Sequence, residues 1–248
     1  MSGKTVRNRL IQERVSGRMK TPANWKEKLR RKMLPVPGIL GREEYYSCAV
    51  LVPLLYLDGE EHLLFQKRAP HIKQGSEVCF PGGHFEEKKD TDLLDTALRE
   101  AQEELGIMPG MVDVLGQLET VVSPRGIIVE CFLGVLEISE TSELVIDMKE
   151  VEKVFTVPVS WFRRNPPQIY RTRVEIQSSY VDRGGNTQVL LPVEELGLPD
   201  HYRNNRSEWM HRVVVYPSRP EIIWGMTAAV VENLVRKYFP AGSGQQGL

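Results

Sequence analysis

The acidic residues that follow Arg99 have the spacing needed to bind a divalent metal ion. Glu100 and Glu104 are four residues apart, and Glu103 lies between them. In a helix, side chains at this spacing project within an arc of about 100°. Like charges so placed repel by about 0.2–0.5 kcal/mol per exposed pair, and a divalent cation removes that repulsion because it prefers carboxylate oxygens. The spacing is compatible with a metal site, although most acidic runs of this kind are solvated helix faces.

The residues around these glutamates predict the helix that would carry them. Residues 91–105 are rich in Leu, Ala, Glu and Gln and contain neither Gly nor Pro, a composition that favours a helix. Asp90 or Asp92 can cap its start, and Gly106 can end it. Apolar side chains recur along a separate stripe that we expect to face the core: Leu94, Ala97, Leu98, Ala101 and Leu105.

The flanks of this helix favour the metal site over the solvated face. The turn Phe80-Pro81-Gly82-Gly83 precedes the helix, and residues 99–107 read Arg-Glu-Ala-Gln-Glu-Glu-Leu-Gly-Ile. Together they resemble the Nudix box, in which Gly, five residues, Glu and seven residues precede Arg-Glu-hydrophobic-x-Glu-Glu-x-Gly-hydrophobic. The spacing from Gly83 to Arg99 is two residues longer than in that pattern, and Asp90 stands where Glu is usual. The extra residues precede the helix, where a longer loop costs little.

The resemblance to the Nudix family implies a fold and a chemistry. The implied fold is α/β, an α/β/α sandwich around a mixed β-sheet. The implied activity is hydrolysis of a nucleoside diphosphate linked to another group, with Mg²⁺ or Mn²⁺ as cofactor. In this chain Glu100 and Glu104 would be metal ligands, and the Gly83 carbonyl would complete the shell. Glu103 would be a further ligand or the catalytic base, and Arg99 would hold the acidic residues by ion pairing. Glu100, Glu103 and Arg99 are therefore the predicted catalytic residues.

The identity of the base is left open by the sequence. A base outside the box also occurs in the family, and three acidic residues near the predicted late strand are candidates besides Glu103: Asp147, Glu150 and Glu152.

The segment from Leu63 to Gly83 resembles the signature of the coenzyme A pyrophosphatase branch of the family. Arg68 and Lys73 match its basic positions, and Ile223–Ala228 near the end of the chain also looks like that branch. Glu130-Cys131 departs from it, because Thr-Pro is usual there. The resemblance implies cleavage of coenzyme A or its derivatives to 3′,5′-ADP and 4′-phosphopantetheine, with Arg68 and Lys73 meeting the 3′-phosphate.

Two alternatives remain for the function. One is the same chemistry on ADP-ribose, a dinucleotide or a nucleoside triphosphate. The other is a non-catalytic nucleotide-binding module, against which the intact carboxylates argue.

Length and composition suit one large domain with appendages. The chain has 248 residues, 41% of them hydrophobic, enough for a substantial core. We predict a basic helical segment over residues 1–40, a Nudix domain over 41–240 with an insert at 168–219, and a disordered tail at 241–248. The basic segment is expected to be a solvated helix packed on the domain. The alternatives are that it reaches over the active site or packs against a second subunit in a homodimer.

Net charge and cysteine usage limit which partners and which cellular compartment are expected. The net charge of −1 argues against general nucleic-acid binding, which leaves a small nucleotide as the expected partner. The longest apolar run, Ala49–Leu57, is too short to cross a bilayer. No signal peptide opens the sequence. Three widely spaced cysteines, Cys48, Cys79 and Cys131, suit buried reduced thiols in a cytoplasmic protein.

Alternating and apolar runs predict the strands of the sheet. Ser47–Leu57 and His62–Lys67, joined by Asp58-Gly59, form a predicted hairpin. Further elements are expected along the rest of the chain: strands at Val114–Val122 and Ile127–Glu137, a late strand and Pro-marked turn within Val151–Phe162, and a final helix within Glu221–Tyr238.

Overall fold

The computed structural model describes Lys26, Arg30, Arg31 and residues 38–202, 209–217 and 221–240. The chain divides into two compact units, Met1–Arg42 and Glu43–Leu248. In the first unit, Lys26, Arg30 and Arg31 have helical backbone. Most of the predicted basic segment and the whole predicted tail at 241–248 lie outside the described residues. The predicted domain boundaries and the 168–219 insert therefore stay predictions.

The second unit contains strands and helices in a mixed order. The strands are β1 Tyr46–Leu57, β2 Glu60–Arg68, β3 Val78–Cys79, β4 Gly82–His84, β5 Val112–Gln117, β6 Val121–Ser123, β7 Ile127–Leu136, β8 Val151–Pro158, β9 Gln168–Arg173, β10 Ser179–Val181, β11 Thr187–Val189, β12 Met210–Tyr216 and β13 Ile223–Trp224. The α-helices are α1 Leu93–Leu105, α2 Val159–Arg164 and α3 Gly225–Tyr238. Short 3₁₀ turns lie at Arg42–Glu44, Pro109–Met111, Thr141–Glu143 and Asp200–Tyr202.

Strands β1 to β8 form one mixed sheet. β1 is parallel to β7 and antiparallel to β2 and β4. β3 and β8 pair with β2, and β5 and β6 pair with β7. β1 and β2 form the predicted hairpin. Its turn is Asp58-Gly59, and both residues take the positive φ that a two-residue hairpin turn requires.

Helices cover both faces of this sheet. Beneath α1, Ala97, Ala101 and Leu105 pack against β1 and β2 residues such as Leu51 and Leu64. On the opposite face, residues of α2 and α3 pack in a second cluster with alternate residues of the same strands. Because successive strand residues point to opposite faces, β2 supplies Leu64 to one core and Phe65 to the other. The predicted α/β/α sandwich is confirmed.

One element differs from the predictions. The strand predicted over Val114–Val122 is two strands, β5 and β6, which both pair with β7 and are separated by residues 118–120. The final helix α3, Gly225–Tyr238, lies within the predicted Glu221–Tyr238, and Ile223 and Trp224 just before it pair with β12 as β13. β9, β12 and β13 form a separate three-stranded sheet, and β10 and β11 form a two-stranded one.

Candidate active site

Helix α1 is capped as its sequence predicts. Asp92 has an extended backbone and its side chain accepts a hydrogen bond from the amide of Asp95 at 2.9 Å, so Asp92 rather than Asp90 is the N-cap. At the other end, Gly106 takes a left-handed conformation with φ of 69°. These two caps fix where α1 begins and ends.

Asp90, whose role the sequence left open, anchors Arg99. Its two carboxylate oxygens lie 2.7 and 3.1 Å from Arg99 Nε and Nη2. Thr96 Oγ1 and the Glu86 amide also donate to it, and it is buried. The Arg99 guanidinium, with help from these donors, lowers the pKa of Asp90 to about 2 against the opposing effect of burial. Asp90 is therefore a charged, buried support for Arg99.

Arg99 in turn connects α1 to the strand before it and to two of the predicted ligands. Its Nη2 donates to the carbonyl of His84 in β4 at 3.0 Å. Its Nη1 lies 2.7 Å from Glu100 Oε1 and 3.0 Å from Glu103 Oε2. The predicted ion-pairing role of Arg99 thus has a geometric basis. Glu103 is about half exposed, whereas the side chain of Glu100 is largely covered.

Glu104 lies beneath the helix, between α1 and the sheet. Its side chain is 2% exposed, and its Oε2 accepts hydrogen bonds from Gln66 Nε2 at 2.8 Å and from the Gly82 amide at 3.0 Å. Arg68 Nη1 lies 3.7 Å from its Oε1. Burial raises the pKa of Glu104 to about 7, although the Gln66 and Gly82 donors act in the opposite direction. A cation beside this carboxylate would favour its charged form.

Gly83 explains how Glu100 comes close to β4. A Cβ atom placed on Gly83 would lie 2.4 Å from Glu100 Oε1, so any larger residue would push the carboxylate away. Burial raises the pKa of Glu100, and the charges of Glu103 and Glu150 add to that effect while Arg99 opposes it. The carboxylates of Glu100 and Glu104 therefore meet the same short strand, β4, from one helical face.

The candidate ligands suit a hard divalent ion, although among the described residues they are not arranged as a metal-binding cluster. Within the residues that the structure describes, no three His, Cys, Asp or Glu side chains lie together as a metal site. The reason is that Arg99 pairs with Glu100 and Glu103, and Arg68 with Glu104. The candidate ligands are carboxylate oxygens, the type that Mg²⁺ and Mn²⁺ prefer.

The three candidate bases outside the helix differ in their surroundings. Glu152 is paired with Lys67 at 3.5 Å. Asp147 accepts a hydrogen bond from the amide of Lys149, and its own amide donates to the carbonyl of Glu104. Glu150 is exposed, and its charge acts on Glu100. Of the three, Glu150 has the clearest electrostatic link to a predicted ligand.

Arg68 and Lys73, the predicted substrate-binding residues, lie in different environments. Arg68 is at the end of β2 with its guanidinium close to Glu104, and its Nε is buried without a hydrogen-bond partner. Lys73 is exposed in the loop between β2 and β3. Sequence reasoning missed Gln66, whose buried amide holds Glu104; the only available signal was a polar residue in the middle of an apolar strand.

Comparison with known proteins identifies the family. Residues 47–178, slightly more than half of the chain, match the family description NUDIX domain. The chain belongs to the Nudix family. Members of this family generally use divalent metal ions.

Individual Nudix relatives resemble the chain over different lengths. The peroxisomal coenzyme A diphosphatase NUDT7 of Mus musculus is 40% identical over 131 residues, which span 52% of this chain and 53% of that protein. The Nudix hydrolase NudL of Photorhabdus laumondii is 30% identical over 206 residues, 82% of this chain and 91% of that protein. The mitochondrial coenzyme A diphosphatase NUDT8 of Homo sapiens is 29% identical over 196 residues, 78% of this chain and 70% of that protein. The match thus spans about half the length of NUDT7.

The sequence also gives predictions about whether this Nudix protein crosses a membrane, whether its cysteines are free, and how it assembles. Among the described residues, no helix has both the length and the apolar character that a bilayer crossing requires. Cys48, Cys79 and Cys131 are free thiols, and burial raises the pKa of Cys79 to about 11 and of Cys131 to about 12. The cytoplasmic location and the homodimer stay predictions.

Proposed function

We propose that this Nudix protein is a metal-dependent pyrophosphohydrolase that cleaves coenzyme A or its derivatives to 3′,5′-ADP and 4′-phosphopantetheine. The observation that carries the proposal is the position of Glu100 and Glu104, one helical turn apart and both against Gly82-Gly83. The similarity to two coenzyme A diphosphatases, NUDT7 and NUDT8, supports the choice of substrate.

The proposed cofactor is Mg²⁺ or Mn²⁺, held by Glu100 and Glu104 with Glu103 and the Gly83 carbonyl as further ligands. When bound, such ions neutralise a diphosphate, activate a water molecule and stabilise the leaving oxygen. The chain supplies the support for them. Arg99, itself fixed by Asp90, orients Glu100, and the Gln66 and Gly82 donors orient Glu104.

Other residues of the site are proposed to transfer protons and to contact the substrate. Glu103 and Glu150 are the proposed bases, because Glu103 is half exposed on the metal face and Glu150 is exposed and acts on Glu100. Arg68, whose guanidinium lies 3.7 Å from Glu104, is the proposed contact with the diphosphate itself. Of the two residues predicted to meet the 3′-phosphate, exposed Lys73 is then the better candidate.

A substrate panel tests this proposal. Coenzyme A, its 3′-dephospho form, ADP-ribose, a dinucleoside polyphosphate and a nucleoside triphosphate are each incubated with Mg²⁺ or Mn²⁺, and the products are identified by mass. We expect coenzyme A to give the highest kcat/KM, EDTA to abolish activity, and Zn²⁺ to restore it poorly because an all-oxygen site favours harder ions.

Other outcomes of the substrate panel would contradict separate parts of the proposal. Higher kcat/KM on ADP-ribose would keep the Nudix chemistry and reject the coenzyme A assignment. Activity that survives exhaustive chelation would reject the metal. No hydrolysis of any substrate with either ion would leave a nucleotide-binding module. Glu137→Gln, which alters an exposed glutamate just after β7, is the matched control and should behave as wild type.

A further inference from the structure

A cavity of about 540 Å³ lies on the face of the sheet opposite α1 and is not explained by the hydrolytic site. Its lining residues come from β3 with the loop before it, from β12, and from the segment that leads into α3: Ser76, Val78, Val215, Glu221, Ile222 and Trp224. A volume of this size is typical of pockets for small molecules.

Trp224 gives the cavity a flat apolar wall. Its indole is 43% exposed, although its backbone is fixed, because Trp224 pairs with Val215 in β12 and α3 begins at the next residue. Val78 and Ile222 add aliphatic surface beside it. An exposed indole held on a rigid strand is a surface on which a planar ring can stack with little loss of side-chain entropy.

The polar wall of the cavity carries little net charge. Glu221 Oε1 lies 3.2 Å from Lys67 Nζ and 2.6 Å from Lys153 Nζ, so its carboxylate is neutralised by two ammonium groups. Lys67 also lies 3.5 Å from Glu152, so these two lysines and two glutamates balance in charge. This wall therefore tolerates an anionic ligand, whereas an unpaired carboxylate would repel one.

One residue links the cavity to the hydrolytic site. The carbonyl of Arg68 accepts a hydrogen bond from the amide of Ser76, which lines the cavity, at 3.0 Å. The guanidinium of the same Arg68 lies 3.7 Å from Glu104. The end of β2 is thus part of the surroundings of both sites.

We infer that this cavity binds the adenine ring of the substrate, stacked on Trp224. The inference rests on the proposed function, in which the substrate has a single aromatic ring system, the adenine, and a flexible pantetheine arm. A planar ring uses the indole face fully, whereas the arm would not. The assignment makes Trp224 a substrate-binding residue outside the Nudix helix.

Binding without catalysis tests the inference separately from the proposed function. The affinities for adenosine 3′,5′-bisphosphate and for 4′-phosphopantetheine are measured by calorimetry in EDTA, with wild type, Trp224→Ala, Trp224→Phe and the control Trp209→Ala. Trp209 is also exposed, at 53%, and does not line the cavity. We expect Trp224→Ala to weaken binding of the bisphosphate about tenfold or more, and Trp224→Phe and Trp209→Ala to weaken it far less.

A second measurement does not depend on how the variants fold. Hydroxyl-radical footprinting of the wild-type protein should show that adenosine 3′,5′-bisphosphate protects Trp224 from oxidation and leaves Trp209 unprotected. Wild-type affinity in Trp224→Ala, no protection of Trp224, or a Trp224-dependent affinity for 4′-phosphopantetheine instead would overturn the inference. Failure of the substrate panel with intact, Trp224-dependent binding of the bisphosphate would reject only the proposed hydrolysis.

Discussion

The two long helices of the sandwich bury different kinds of side chain. The buried residues of α3 are hydrocarbon throughout: Ala228, Val230, Val231, Leu234 and Val235. Those of α1 include Thr96 and Glu104 among Ala97, Ala101 and Leu105. The charged contacts of α3 lie at the surface, as in the pair of Arg212 with Glu232, whereas those of α1 reach the buried Asp90 and Glu104.

This difference between α1 and α3 distinguishes residues that pack the core from residues of the candidate site. A carboxylate taken out of water costs free energy unless it is paired, and two hydrogen bonds with one cation at 3.7 Å leave Glu104 with a raised pKa. The hydrocarbon face of α3 carries no such cost. The residue types on the acidic face of α1 are those that the proposed metal site requires, whereas those on α3 are explained by the core.

Glu104→Gln should produce the largest change and should act on activity alone. The amide keeps the volume of the side chain but loses the charge that a metal ion requires, so we expect kcat to fall more than about 100-fold. The melting temperature without metal should hold or rise slightly, because the buried charge is gone. Steady-state kinetics at saturating Mg²⁺ and thermal melts in EDTA are the measurements, and near-wild-type turnover would show that this face of α1 is not the metal site.

Leu234→Ala should show the opposite pattern. Leu234 is 1% exposed in the core beneath α3, and truncation of such a side chain costs about 2–5 kcal/mol of unfolding free energy. Activity per folded molecule at low temperature should stay close to wild type. Denaturant unfolding gives the stability, and a selective loss of kcat with unchanged stability would contradict the division between the two helices.

The sequence predicts these two helices unequally well. The local signals of α1 are all present in residues 90–107, where capping residues, apolar stripe and glycine stop lie within one segment, so its bounds and its acidic face could be predicted. The sequence also places α3 within Glu221–Tyr238, but it does not indicate that the residues before α3 form a strand, because the partner of Trp224, Val215, is not local in sequence.

The environment of individual side chains in the site also could not be predicted from the sequence. The spacing of Glu100, Glu103 and Glu104 places them on one face, but it does not say which is buried. Gln66 and Gly82, which decide the environment of Glu104, come from β2 and β4. The function of Asp90 was equally hidden, since its contact with Arg99 depends on the path of the loop before α1.

Asp90→Asn should have an intermediate effect that depends on pH. Because the folded protein holds the pKa of Asp90 below its ordinary value, the carboxylate stabilises the fold above the ordinary pKa, and that contribution is lost as pH falls towards about 2. We expect the variant to lose about 1–2 kcal/mol of stability at pH 7 and to converge with wild type only below about pH 2. Urea unfolding across this range tests it, with Asp92→Asn, which keeps a capping side chain, as the control. A difference that is constant with pH would mean that the ion pair with Arg99 contributes nothing.

Glu232→Gln, at the surface of α3, should have the smallest effect. Glu232 receives two hydrogen bonds from Arg212, at 2.6 and 2.7 Å, yet the Arg212 side chain is 46% exposed. Exposed pairs of this kind contribute about 0.2–1 kcal/mol, and salt screens them further. We expect a loss of stability within that range at low ionic strength, a smaller loss at 1 M salt, and no change in kcat. A loss as large as that of Asp90→Asn, and unchanged at 1 M salt, would show that geometry rather than burial sets the strength of the ion pairs in this protein.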